Sequence, residues 1–379
     1  MTQLWARGAR ASRRLRACGR PRCVTTASSA TASSAATSSA SSNNAAATAS
    51  AITYFYNDVY EVELPEGHRF PMEKYRLVRQ LLQRVHADDD VAFAVSPLAT
   101  LEELATTHDR EYARRYLENE FTARENRVVG FPWSTESVDR SISSVGGTLA
   151  AARAACARLR SAPGAPTAAS QRPAVTGHLA GGTHHAFASH GEGFCVFSDI
   201  AVAANVCLEE HADWLERVLI IDLDVHQGNG NAVIFQHEPR VFTFSMQCRQ
   251  NLFSAEQTSD QDVFLEEGTG DEGFLAAMAA HIPRVVEAVR PQLVFYQAGV
   301  DPMGGDRLGR LSLSREGLRQ RNELLYETLR PLIAEGSCGL VLTLGGGYPR
   351  DLTVGSESFS AVVEAHADVY SGAVRAFAD

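Results

Sequence analysis

In the segment IDLDVHQGNG, Asp222, Asp224 and His226 stand at alternate positions. Alternation along an extended backbone points all three side chains to one side. Carboxylates and an imidazole so placed suit a divalent metal. The apolar run at 217–222 reads as a strand, so these groups emerge where a strand ends. A helix cap followed by a surface histidine is the plainer reading, and three alternating ionisable groups directly after a buried run argue against it. Another carboxylate, Asp301, lies in FYQAGVDPMGGD after a second apolar run, 293–296. Asp-Pro alone would be a turn. With Asp224 and His226 it completes an Asp/His/Asp set, and three protein ligands with an open position describe a catalytic rather than a structural zinc.

Tandem histidines, His184 and His185, occupy AGGTHHAF. Adjacent side chains on extended backbone diverge, so the pair is expected to move protons and stabilise charge beside a metal rather than ligate one ion together. The alternative is two solvated loop histidines; Gly181, Gly182, Gly193 and Phe194 nearby suggest backbone packed closely around something. Tyr348 follows the glycines of LTLGGGYP, where a phenol could donate to a developing oxyanion. A glycine run can also cradle phosphate, but no GxxxxGK[ST] accompanies it, and nucleotide chemistry drops out.

Positioning such groups requires a sheet whose strands end together. Short apolar runs alternate with longer helical stretches, the pattern of a parallel sheet flanked by helices. Residues 54–59 and 91–95 read as strands, and 217–222, 241–244, 293–296 and 340–344 as central strands buried on both faces. Helices are expected over 73–85, 109–116, 139–159, 273–289 and 314–333. The Pro/Ala/Ser-rich stretch 161–176 reads as a surface loop. In open α/β sheets ligands bind outside the carboxyl ends of strands, where the groups above fall. One α/β domain over 53–379 is expected.

Residues 1–52 read differently. Seven arginines stand before residue 23, the first fifty residues contain no Asp, Glu or Lys, and Ser, Ala and Thr dominate after Arg22. Arginine-rich, serine-rich and acid-free is the composition of a mitochondrial or plastid presequence; a tail that targets nothing, leaving the protein cytoplasmic or nuclear, is the alternative. The chain's net charge of −10 over 379 residues argues against direct nucleic-acid binding. No apolar run approaches the roughly 20 residues of a membrane span, so a soluble protein is expected. Seven cysteines without a CxxC pair suggest reduced thiols rather than a disulfide framework.

Taken in order, GGTHHAF, GEGFCVFSDIAVA, IDLDVHQGNG, QAGVDP and LTLGGGY resemble the zinc-dependent histone deacetylases of the arginase/deacetylase superfamily. HRFPMEKY and GFPWS resemble the class IV and bacterial deacetylase-like branch of that family. The resemblance implies a single α/β domain on a largely parallel eight-stranded sheet, with one Zn2+ at the bottom of a narrow tube. It assigns Asp224, His226 and Asp301 as zinc ligands, His184 and His185 as the catalytic pair, and Tyr348 as the transition-state tyrosine. Asp222 would orient His184 and, with Ser245, face a structural K+. Gly193 and Phe194 would form one tunnel wall and Phe253 the other, while Arg69 is matched to an arginine near an internal product-release channel. Two departures stand out. Gln227 replaces a histidine, and Asn229 stands where class I enzymes carry an aspartate supporting the second histidine, so His185 should be less basic here.

The implied reaction is amide hydrolysis by zinc-activated water. The substrate would be an acyl-lysine protein or peptide; an acetylated small amine such as an acetylpolyamine, or a non-catalytic scaffold role, are the alternatives. Binuclear manganese chemistry of the arginase type would want more carboxylates, and Asn229 stands where one would help.

Overall fold

Neighbouring residues along the central strands enter different cores. Leu219 and Ile221 face one hydrophobic cluster while Val218 and Ile220 face the other, and the same division separates Val294 and Tyr296 from Leu293 and Phe295. A strand buried on both faces needs no polar alternation, which is why these runs are almost continuously apolar. Each such side chain contributes about 1.5–3 kcal/mol by leaving water.

The computed structural model describes residues 51–160 and 172–378. Its strands are β1 (Ile52–Tyr56), β2 (Val91–Val95), β3 (Val175–His178), β4 (Val218–Asp222), β5 (Val241–Cys248), β6 (Gln261–Leu265), β7 (Leu293–Gln297) and β8 (Gly339–Thr343). They form one eight-stranded sheet in the order β2-β1-β3-β8-β7-β4-β5-β6, and every pairing is parallel. All eight carboxyl ends therefore open on one edge.

Helices cover both faces. On one side lie α1 (Lys74–Val85), α7 (Asp271–Val289), α8 (Arg315–Ala334) and α9 (Glu357–Phe377). On the other lie α2 (Arg110–Leu117), α4 (Thr135–Leu159) and α5 (Asp199–Glu210). Of two shorter helices, α3 (Ala123–Val129) lines the cavity described below, and α6 (Asn229–Phe235) touches it through Asn229, which contacts His185. α4 starts at Thr135, four residues before the expected start, capped by Ser134, whose hydroxyl accepts from Ser137 N at 3.0 Å.

The sheet departs from the sequence expectation at its least apolar strands. β1 begins at Ile52 and stops before Asn57, whose amide turns away to donate to Ser143 Oγ at 3.2 Å. The end of the expected 161–176 loop is strand: Val175 and Thr176 open β3, which lies between β1 and β8, while 161–171 lie outside the described residues. The expected 1–52 presequence also lies outside them up to residue 50. Five cysteines, Cys156, Cys195, Cys207, Cys248 and Cys338, are buried and free. Among the described residues no helix is long and apolar enough to cross a membrane.

Candidate active site

Loops leaving β3, β4, β5, β7 and β8 converge on a cavity of about 580 Å³. Asp222 ends β4, and its Oδ2 lies 2.6 Å from His184 Nδ1. Two residues on, Asp224 is held from three directions: His226 N donates to Oδ1 at 3.0 Å, and Gln297 Nε2 and Gly346 N donate to Oδ2 at 3.0 and 2.9 Å. Val225 N donates to Asp301 Oδ1 at 3.0 Å. An oxygen of each carboxylate meets one ring nitrogen, since His226 Nδ1 lies 3.1 Å from Asp224 Oδ1 and 3.2 Å from Asp301 Oδ2. These three donor atoms lie within 4.8 Å of one another, and the sequence-expected ligand set is thus gathered in space.

The glycine triplet makes this crowding possible. A methyl group at Gly346 would overlap Asp301 Oδ2 and stand 2.7 Å from Asp224 Oδ2. Electrostatics point the same way. Burial opposes charge on His226, yet hydrogen bonds and attraction from Asp224 and Asp301 hold its pKa up to about 10. Burial, then repulsion from Asp224, pushes Asp301 up to about 7. Two buried carboxylates about one nitrogen favour a positive charge between them, and a borderline divalent cation with N/O ligands fits that demand.

His184 and His185 lie in a turn, not in extended backbone, so their rings converge instead of diverging, with centroids 3.9 Å apart. Their second partners separate them. Burial lowers the basicity of His184, but Asp222 and Asp224 outweigh it and raise the pKa to about 9. His185 Nδ1 faces Asn229 Oδ1 at 2.8 Å. Burial, with the nearby imidazoles of His184 and His226, pulls its pKa well below the ordinary value. The amide passes the contact on: Asn229 Nδ2 donates to Glu192 Oε1 at 2.7 Å.

Tyr348 lines the same cavity, and burial followed by the charges of Asp301 and Asp224 pushes its phenol well above 10, so it keeps its proton. Asp306 Oδ2 accepts from Tyr348 N at 2.7 Å and fixes the loop. Gly193 (φ 56°) and Phe194 (φ 67°) both take the left-handed conformation, which turns the Phe194 ring toward Tyr348 with centroids 6.0 Å apart. Across from it, Phe253 stands edge-on to His185 at 4.7 Å, and a methyl at Gly193 would come 2.8 Å from Phe253 Cζ. Ser245 lies beside Asp222 in register on β5, its Oγ accepting from Gly228 N at 3.3 Å. Gln227 spans Gln257 and Asp262, away from the histidine pair.

Arg69 is exposed at the cavity mouth and does not reach the interior. The cation that does is Lys74, whose Nζ donates to Gly345 O and Gly347 O, each at 3.2 Å, and lies 5.4 Å from the Tyr348 ring centroid. Burial lowers its pKa to about 8 against the pull of Asp301, Asp306 and Asp224. Sequence reasoning missed Lys74, Gln297, Asp306 and Glu192. Gln297 ends a strand and could have been found by the rule that exposed Asp222; Lys74 is the only lysine among the chain's 35 Lys and Arg residues.

Fold and site together define a single-domain α/β protein carrying a metal-type donor triad and a histidine pair at the carboxyl edge of its sheet. The histone deacetylase domain family matches residues 68–366, and the chain belongs to that family. An uncharacterized protein of Picosynechococcus sp. is 37% identical over 297 residues, 78% of this chain and 92% of that one. Histone deacetylase 2 of Arabidopsis thaliana is 32% identical over 176 residues, and histone deacetylase clr6 of Schizosaccharomyces pombe is 33% identical over 180. The chain spans only 44% and 42% of those two relatives. The solved HDA15 HD domain shares the fold, with a TM-score of 0.61 over 84% of this chain and 90% of that one at 20% identity. Membership makes the protein a deacetylase-type hydrolase acting on amides.

Proposed function

We propose that the protein is a Zn2+-dependent deacylase that removes acetyl or longer acyl groups from lysine side chains. The carrying observation is the convergence of His226 Nδ1 with Asp224 and Asp301 directly below the histidine pair and Tyr348. Asp224, His226 and Asp301 would hold the metal, which when bound supplies Lewis acidity toward the acyl carbonyl and lowers the pKa of a water from about 15.7 to about 7. His185, kept neutral, accepts the proton of the attacking water and returns it to the leaving amine. His184, paired to Asp222, stays charged and stabilises the developing negative charge. Tyr348 donates its hydroxyl proton in a hydrogen bond to the same oxyanion. Gly193, Phe194 and Phe253 enclose the acyl chain, and a K+ beside Asp222 and Ser245 would stiffen the floor. The acid-free first fifty residues support delivery to a mitochondrion or plastid.

The test uses the full chain loaded with zinc, offered lysine peptides bearing acetyl, butyryl or myristoyl groups and, separately, N-acetylputrescine. Turnover of a peptide, blocked by a hydroxamate, is expected. Turnover of the polyamine alone would replace this reading with small-molecule metabolism, and silence on every substrate with zinc bound would support a scaffold. Tyr348→Phe should keep zinc and lose about a hundredfold in rate, roughly 3 kcal/mol. A near-wild-type rate would remove Tyr348 from the mechanism.

A further inference from the structure

The chain carries a net charge of −10, yet the mouth of its cavity is basic. Arg69, Arg127 and Arg310 line it, against the carboxylates of Glu192 and the deeply buried Asp224. Arg310 reaches Glu267 at 3.2 Å, and Glu192 Oε1 is occupied by the Asn229 amide. Arg69 and Arg127 are exposed and make no ion pair among the described residues, and Asp379 is the only acidic side chain outside those residues. Arginines elsewhere on the surface show what such a residue does when carboxylates are near: Arg114 binds Glu111, Glu118 and Glu120, and Arg153 binds Glu103 and Glu210.

Both unpaired arginines sit on segments anchored to the tunnel wall. Arg127 belongs to α3, whose last carbonyls, Val128 O and Val129 O, accept from Gly193 N at 3.3 Å and Phe194 N at 2.7 Å. Arg69 lies between His68, whose Nε2 contacts Gly130 O at 2.9 Å, and Phe70, whose ring is 5.2 Å from that of Phe194. Two separate segments, both anchored at the Gly130–Phe194 wall, thus place an unpaired arginine on the lining of the entrance. Guanidinium forks match carboxylate geometry, and like charges are turned away.

We infer that Arg69 and Arg127 form an anion-recognising subsite that selects acyl-lysine segments carrying aspartate or glutamate beside the acylated residue. The inference rests on the deacylase reading for its substrate, and it makes lysine-rich tails and cationic polyamines the poor ligands of this mouth.

The experiment measures fluorescence anisotropy of three labelled acetyl-lysine peptides, flanked by Asp, Asn or Lys, on the zinc-loaded full chain bearing Tyr348→Phe to suppress turnover. At about 50 mM salt the Asp peptide should bind about tenfold more tightly than the Asn peptide and the Lys peptide weakest, and the spread should shrink at about 0.5 M salt. Adding Arg69→Gln and Arg127→Gln should erase the difference and leave the Asn peptide's affinity unchanged. Equal binding of Asp and Asn peptides, tightest binding of the Lys peptide, no binding of the Asp peptide, or a preference that survives the double substitution would each overturn the subsite. Wild-type hydrolysis of the Asn peptide is scored separately and bears on the deacylase reading alone.

Discussion

At the cavity floor Asp222, Asp224 and Asp301 are buried, and ring nitrogens, a glutamine and backbone amides hold them at ordinary hydrogen-bond lengths. At the mouth Arg69 and Arg127 stand in solvent, held in place only by the segments that carry them. Charges at the floor are surrounded by fixed dipoles that cannot relax, so a small displacement there is expensive. Charges at the mouth are screened by water and salt, so each influences binding modestly and adaptably. On the proposed function, chemistry is set below and choice of substrate above, and mutations should scale accordingly.

Gly346→Ala should have the largest effect. Its methyl would force Asp301 and Asp224 apart, and zinc stoichiometry by mass spectrometry should fall to background along with activity. A stoichiometric, active variant would break the picture of a close-packed floor.

Asn229→Asp tests the layer between. It would set a carboxylate against Glu192 Oε1, now 2.7 Å from the amide. A loss of about tenfold in kcat/KM is expected, with Glu192→Gln restoring most of it. If Asn229→Asp alone raises activity, Glu192 does not constrain this position.

The third prediction concerns pH. His226 is held near 10 and His184 near 9, both above the ordinary 6.5, so the folded metal-free protein retains protons that the unfolded chain releases. That stabilisation is complete below about 6.5 and fades as pH rises toward 10. Melting of metal-free protein should fall across this window, and zinc, which takes the place of the His226 proton, should flatten the slope. Parallel slopes with and without zinc would count against the triad as a metal site.

The smallest effect belongs to the mouth: kcat/KM on an Asn-flanked peptide should change less than about twofold between 0.05 and 0.5 M salt. A steep dependence would mean that the entrance charges govern even neutral substrates.

Legibility in the sequence followed the same division. The floor could be read because its residues end apolar strands and must be Asp, His or Gly to do their work. β4, β7 and β8 betrayed themselves as uninterrupted apolar runs. β3 did not: VTGH is short, its Gly177 is packed between Tyr54, Tyr370 and Leu342, and His178 is buried by bonds to Ser96 and Thr148 that only the fold creates. The edge strand β6 (QDVFL) is half-exposed and carries no strong pattern. Extended backbone was the wrong assumption at His184 and His185, because a turn sits there. The mouth was illegible since nothing in Arg69 or Arg127 distinguishes them from any surface arginine until α3 and the Phe194 loop are bonded together.

Lys74, the chain's only lysine, is buried beneath the Tyr348 loop. The surface consequently presents no lysine amine to acyl donors, ubiquitin ligases or amine-directed crosslinkers. On the proposed deacylase function, the protein has no exposed lysine of its own to acquire the group it would remove, and reagents that report on lysine acylation in a mixture would not see it.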